Sequence, residues 1–117
     1  MSRRILLIES DPTIRKHLAA LLERVGHSCS PVDALEPALR EARRHPYPLI
    51  IVDLDDAGAD LAGWADTLRS VAPDARLLGL DSTGTCPPNL FDVLVPKPFL
   101  AEPLLAALPG LLPADGP

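Results

Sequence analysis

The chain of 117 residues is poor in aromatic side chains and in sulfur: one Trp, one Tyr, two Phe, one Met and two Cys. Cys29 and Cys86 lie 57 positions apart and neither belongs to a CxxC pair. This argues against a zinc site and a disulfide scaffold and leaves free thiols as the expectation. A surplus of positive charge is also missing, since 11 Lys plus Arg stand against 16 Asp plus Glu for a formal charge of −5. Without a basic footprint, binding to nucleic acid or to an anionic membrane surface is not expected. Long hydrophobic runs are absent too. Ile5-Leu6-Leu7-Ile8 is stopped by Glu9 with no small-residue cleavage site after it, too short for a signal peptide or a membrane helix. These absences predict a cytoplasmic protein with a single domain over residues 1–112. The tail from Pro113 to Pro117 has a composition that cannot support packing.

What is present is an alternation of apolar runs with helical periodicity. Arg3 to Ile8 and Leu49-Ile50-Ile51-Val52 read as strands buried on both faces, Arg76 to Leu80 as a further strand, His27 to Val32 as a weaker one and Phe91 to Val95 as the last. Between them Asp11 can cap and Pro12 suits the first position of a helix that carries Ile14, Leu18, Leu21, Leu22 and Val25 before Gly26. Leu35, Leu39 and Ala42 mark a second helix, and Leu61, Trp64, Leu68 and Val71 a third. Leu100 to Leu108 mark a last helix that Pro109-Gly110 should stop or kink. From Ser82 to Asn89 the composition is that of turns. The order predicts a doubly wound α/β sheet with helices on both faces.

In such sheets ligands bind beyond the carboxyl ends of the strands. Glu9 and Asp11 follow the first strand, Asp53, Asp55 and Asp56 the third, Asp81 and Ser82 the fourth, and Lys97 the fifth. Clustered carboxylates repel, and an all-oxygen set suits a hard cation such as Mg²⁺. A lysine opposite them suits a phosphoryl group carried on one carboxylate, which makes Asp53 the candidate nucleophile of an aspartyl-phosphate site. His17, His27 and His45 have no metal-ligand spacing and read as solvated surface residues, and Trp64 at a core spacing reads as packing.

Over about residues 3 to 108 the sequence resembles the receiver domain of two-component response regulators. The matching pieces are Ile5-Leu6-Leu7-Ile8-Glu9-Ser10-Asp11-Pro12 with Ile14-Arg15, then Leu49-Ile50-Ile51-Val52-Asp53, then Pro96-Lys97-Pro98-Phe99. Glu9 to Asp53 and Asp53 to Lys97 are each 44 residues. The resemblance implies a five-stranded parallel sheet of the flavodoxin-like, CheY-like kind. It implies phosphotransfer from a histidine kinase or phosphotransfer protein onto Asp53, and Mg²⁺ at the acids Glu9, Asp53, Asp55 and Asp11. It further implies Lys97 on the phosphoryl oxygens and a cis Lys97-Pro98 bond. The implied role is that of a stand-alone response regulator, not an enzyme in its own right, that docks on a downstream protein target or passes its phosphoryl group on.

The departures define a second reading. Ser10 stands where the family has a direct metal ligand, so metal binding is expected to weaken unless Asp11 swings in. Asp81, followed by Ser82, stands at the family's switch hydroxyl, where a carboxylate with a raised pKa would oppose a phosphoryl group. Pro87-Pro88 falls where the fourth helix should lie, which is expected to be shortened or missing, and Leu94 replaces the switching aromatic. These features suit a pseudo-receiver, a phosphorylation-independent interaction module. Asp53-Leu54-Asp55 also matches the start of a haloacid-dehalogenase-like phosphatase. Ala57 stands where that motif wants Thr or Val, and only 64 residues follow Asp53. An EF-hand reading of the loop after Asp53 lacks its closing Glu, because Trp64 is there.

Overall fold

In the computed structural model, which describes residues 4–96 and 101–111, the apolar runs become parallel strands. These are β1 (Arg4–Ile8), β2 (Ser28–Val32), β3 (Leu49–Asp53), β4 (Arg76–Asp81) and β5 (Val93–Pro96), ordered β2-β1-β3-β4-β5 in one sheet. The central strands are buried on both faces because helices cover both. Ile5, Leu7, Leu49, Ile51, Leu78 and Leu80 meet α1 (Pro12–Arg24) and α5 (Ala101–Leu111) through Leu18, Leu22, Leu104 and Leu108. Leu6, Ile8, Ile50, Val52 and Leu77 meet α2 (Leu35–Arg44) and α4 (Leu61–Val71) through Leu39, Ala65 and Leu68. Between these two helices stands α3 (Leu54–Ala57), a single turn. Among the described residues no helix is long and apolar enough to cross a membrane.

The α1 start follows the expected chemistry: Asp11 accepts from the N–H groups of Thr13 at 2.8 Å and Ile14 at 3.2 Å, with proline in the first turn. Three readings need correction. Pro109 does not stop α5, which continues to Leu111. With Leu104 and Leu108 both buried a turn apart, packing outweighs the hydrogen bond that the proline removes. Phe91 lies before β5 rather than in it, and plugs the core beside α4. His27 is buried, because Gly26 at φ 98° turns the chain sharply from α1 into β2. Residues 97–100 and 113–117, which hold the proposed cis bond and the expected tail, lie outside the described residues.

No helix lies between β4 and β5, and residues 82–92 run as turns and bends. Polar groups hold this connection to the sheet instead. The Leu77 N–H donates to Asp92 Oδ2 at 2.7 Å, while the Asp92 N–H donates to the Leu77 carbonyl at 2.8 Å. Arg69 on α4 donates to the Leu90 carbonyl at 2.9 Å and lies 3.7 Å from the Asp92 carboxylate, with Arg76 at 3.9 Å. Removing the Asp92 carboxylate leaves a buried N–H unsatisfied, so Asp92→Ala is expected to lower the unfolding free energy in urea by about 1–3 kcal/mol. Arg76→Ala removes one exposed ion pair and should cost less than about 1 kcal/mol. Equal losses for the two variants would show that the connection is held in some other way.

Candidate functional site

The strand order reverses between β1 and β3, since the chain leaves β1 toward β2 on one side and returns to β3 on the other. The connections at these two strand ends diverge and leave a crevice. Glu9 stands directly after β1, with its N–H donating to the Val32 carbonyl at 3.0 Å so that it continues the ladder with β2. Asp53 closes β3. Glu9 is 1% exposed and Asp53 3%. Arg15 reaches back from α1 to the carbonyls of Glu9 at 2.9 Å and Ser10 at 3.2 Å, which fixes the loop that carries the first acid.

Asp53 is also the N-cap of α3, accepting from the Asp55 N–H at 3.0 Å. Gly58 ends that turn at φ 59°, a left-handed conformation that glycine adopts without strain. Leu54 packs so closely over β4 that a Cβ at Gly79 would sit 3.0 Å from its methyl group. Glycine there lets the turn seat against the sheet. One helical turn brings the third residue after the cap back beside it, and that residue is Asp56. Glu9, Asp53 and Asp56 thus offer carboxylate oxygens that all lie within 4.8 Å of one another. Ser10 faces the same cluster, donating to Asp56 Oδ2 through its N–H at 2.9 Å and to Oδ1 through its hydroxyl at 2.6 Å.

Three carboxylates so close need a compensating charge. Glu9 Oε2 accepts from the Asp11 N–H at 3.1 Å, whereas Oε1 is buried without a hydrogen-bond partner. The Glu9 carboxyl is pushed up to about 7. Burial is the main cause, followed by a hydrogen bond toward Asp53 that requires a proton on Glu9, and the charges of Asp53 and Asp56 add to these against the Asp11 N–H. An orphaned buried oxygen in an all-oxygen donor set fits a hard divalent cation.

The other residues singled out in the sequence are placed differently. Asp11 caps α1, so its carboxylate serves the helix. The exposed Asp55 carboxylate accepts from the Ser82 hydroxyl at 2.7 Å, tying α3 to the end of β4. Among the described residues the carboxylate cluster therefore contains Asp56, and neither Asp11 nor Asp55. Its signal in the sequence was the spacing Asp53-x-x-Asp56, legible only once Asp53 is known to cap a helix. Asp81 is buried but holds the following loop: it accepts from the N–H and hydroxyl of Thr83, both at 3.1 Å, and from the Cys86 N–H at 3.4 Å. The expected rise in its pKa is overturned. Burial pushes the carboxyl up, but the donors of Thr83, Cys86 and Gly84 outweigh it and hold the group below its ordinary value. Lys97 lies outside the described residues. Both cysteines are free, and burial pushes the Cys29 thiol up to about 12, so it is no nucleophile.

No family model matches the chain. It is 30% identical over 131 aligned residues to the response regulator protein FleR of Pseudomonas aeruginosa, an alignment that takes in all of this chain and 28% of that protein. The chain thus spans just over a quarter of the length of this curated relative. Among solved structures it superposes on the chemotaxis protein CheY4 of Vibrio cholerae with a TM-score of 0.83 at 21% identity, covering 96% of this chain and 100% of that one. A response regulator protein from Burkholderia pseudomallei, solved with a phosphorylated aspartic acid and a calcium ion, matches with a TM-score of 0.76 at 28% identity over 92% of this chain and 66% of that one.

The Glu9 carboxyl makes a pH test possible. Because its folded-state value of about 7 lies above the ordinary 4.5, the proton on Glu9 favours the fold. That stability is complete below pH 4.5 and is lost as the pH rises toward 7. With a chelator present, the unfolding free energy of the wild type should fall across this window, and Glu9→Gln should flatten the fall. Identical profiles for the two proteins would show that Glu9 carries no such proton.

Proposed function

Because the chain has the CheY-like receiver fold of response regulators, we propose that it works in two-component signalling as a phosphoryl-accepting receiver. Asp53 accepts the group from a histidine kinase or phosphotransfer protein. The observation that carries this reading is the position of Asp53: buried at the end of β3, at the point where the strand order reverses, beside a second buried acid. An Asp53 carboxylate oxygen attacks phosphorus as the bond to the donor's nitrogen breaks, and the imidazole leaves with the electron pair. The Asp55 N–H on Asp53 Oδ1 fixes the carboxylate for that approach. Glu9 and Asp53 would hold Mg²⁺, which when bound would supply positive charge against the incoming phosphoryl group. Lys97 has the role that the resemblance implies for it, on the phosphoryl oxygens. The output is a contact with a downstream protein in the cytoplasm, and neither nucleic acid nor membrane is a partner of this acidic chain.

A phosphorylation-independent interaction module is the second reading. Asp81 favours it, since a carboxylate that already accepts from Thr83 and Cys86 holds the β4–β5 connection without any phosphoryl group. One experiment separates the two. Wild-type protein incubated with acetyl phosphate and Mg²⁺ should gain a single phosphoryl increment in intact mass, and Asp53→Asn should gain none. An increment that survives in Asp53→Asn would refute the site, and a wild type that takes none would favour the second reading.

A further inference from the structure

We propose that Asp56, oriented by Ser10, replaces the acid missing at position 10 and is the third carboxylate ligand of a divalent cation bound with Glu9 and Asp53. The cation site itself rests on the receiver reading, and the assignment of Asp56 and Ser10 to it rests on this chain alone. Ser10 has no carboxylate to offer, yet its N–H and hydroxyl both hold the Asp56 carboxylate. An acid from the turn after β3 thereby sits over the residue after Glu9. A carboxylate has about four lone-pair positions, so the two Ser10 hydrogen bonds leave others free, with Glu9 and Asp53 oxygens within 4.8 Å. The second sign of a ligand is the burial of Glu9, which is 1% exposed and whose Oε1, when ionised, accepts no hydrogen bond.

Distances agree with this. Two oxygens on one ion lie at most about twice the metal–oxygen distance apart, or roughly 4.2 Å for Mg²⁺ and about 5 Å for Ca²⁺. The three carboxylates, all within 4.8 Å, are close enough together to reach the larger ion as they stand. They close on Mg²⁺ after a shift of under about 1 Å. Asp56 is half-buried on a one-turn helix that ends at Gly58, so that shift needs no change in the sheet. Ser10 is a positioning residue here and Asp56 a ligand.

The test is isothermal titration of Mg²⁺ alone into the whole chain, without a phosphodonor. Asp56→Asn should weaken binding by at least about tenfold. Ser10→Ala keeps the N–H and loses the hydroxyl, so it should weaken binding by a smaller factor. The double variant Ser10→Asp with Asp56→Asn moves the acid to position 10, and should recover most of the loss caused by Asp56→Asn. Recovery also shows that the single variant lost a ligand rather than its fold. Binding by Asp56→Asn equal to that of the wild type, a double variant as weak as the single one, or no Mg²⁺ binding by the wild type would each overturn the proposal. Because no phosphoryl transfer is involved, failure of Asp53 to be labelled leaves this result unaffected.

Discussion

Repulsion between buried carboxylates is the constraint around which this molecule is arranged. Glu9 and Asp53 close neighbouring strands and are almost fully buried. Two unit charges at ~4–5 Å and an effective dielectric of about 20 repel by roughly 3–4 kcal/mol. Among the described residues no cationic side chain bonds the Glu9 carboxylate, and the nearby Arg15 binds backbone carbonyls instead. What the fold supplies is N–H groups, from Asp11 to Glu9 and from Asp55 to Asp53. They orient the acids without neutralising them. Burial, with Asp53 and Asp56 adding to it, raises the Glu9 carboxyl, which is the sign that this site favours a proton or a cation.

The same edge of the sheet shows how local chemistry adjusts to a changed connection. With no helix between β4 and β5, the strand ends on either side are held by acids used as acceptors. Asp81 gathers the donors of residues 83–86, and Asp92 continues the ladder to Leu77 and draws in two arginines. Ser82 adds a link to Asp55 on α3. The loop after β4 and the turn after β3 are therefore coupled through side chains that flank Asp53.

Much of this was legible beforehand because it depends on short-range rules. Uninterrupted apolar runs named the buried strands, Asp11-Pro12 named the start of α1, and Pro87-Pro88 foretold the missing helix. The convergence of Glu9 and Asp53 followed from the strand-end rule alone. The rest depended on geometry that no spacing reports. The α3 turn is only four residues long, below the length at which periodicity shows, and without it Asp56 reads as one more loop acid. Asp81 was expected to face a phosphoryl group. Its direction is decided by donors at Thr83 and Cys86, whose approach depends on how the loop turns at Gly84. Pro109 does not end α5 because its local cost is smaller than the gain from burying Leu104 and Leu108.

The central claim is that charge repulsion among Glu9, Asp53 and Asp56 leaves the folded protein short of a divalent cation. The most direct measurement is the unfolding free energy in urea at pH 8 as Mg²⁺ is raised, against NaCl of matched ionic strength. A cation bound only by the folded state adds about 1.4 kcal/mol for each tenfold increase in free Mg²⁺ above its dissociation constant. Stability should climb with that slope in Mg²⁺ and not in NaCl. Equal curves in the two salts would show that the carboxylates are merely screened, and would contradict the account.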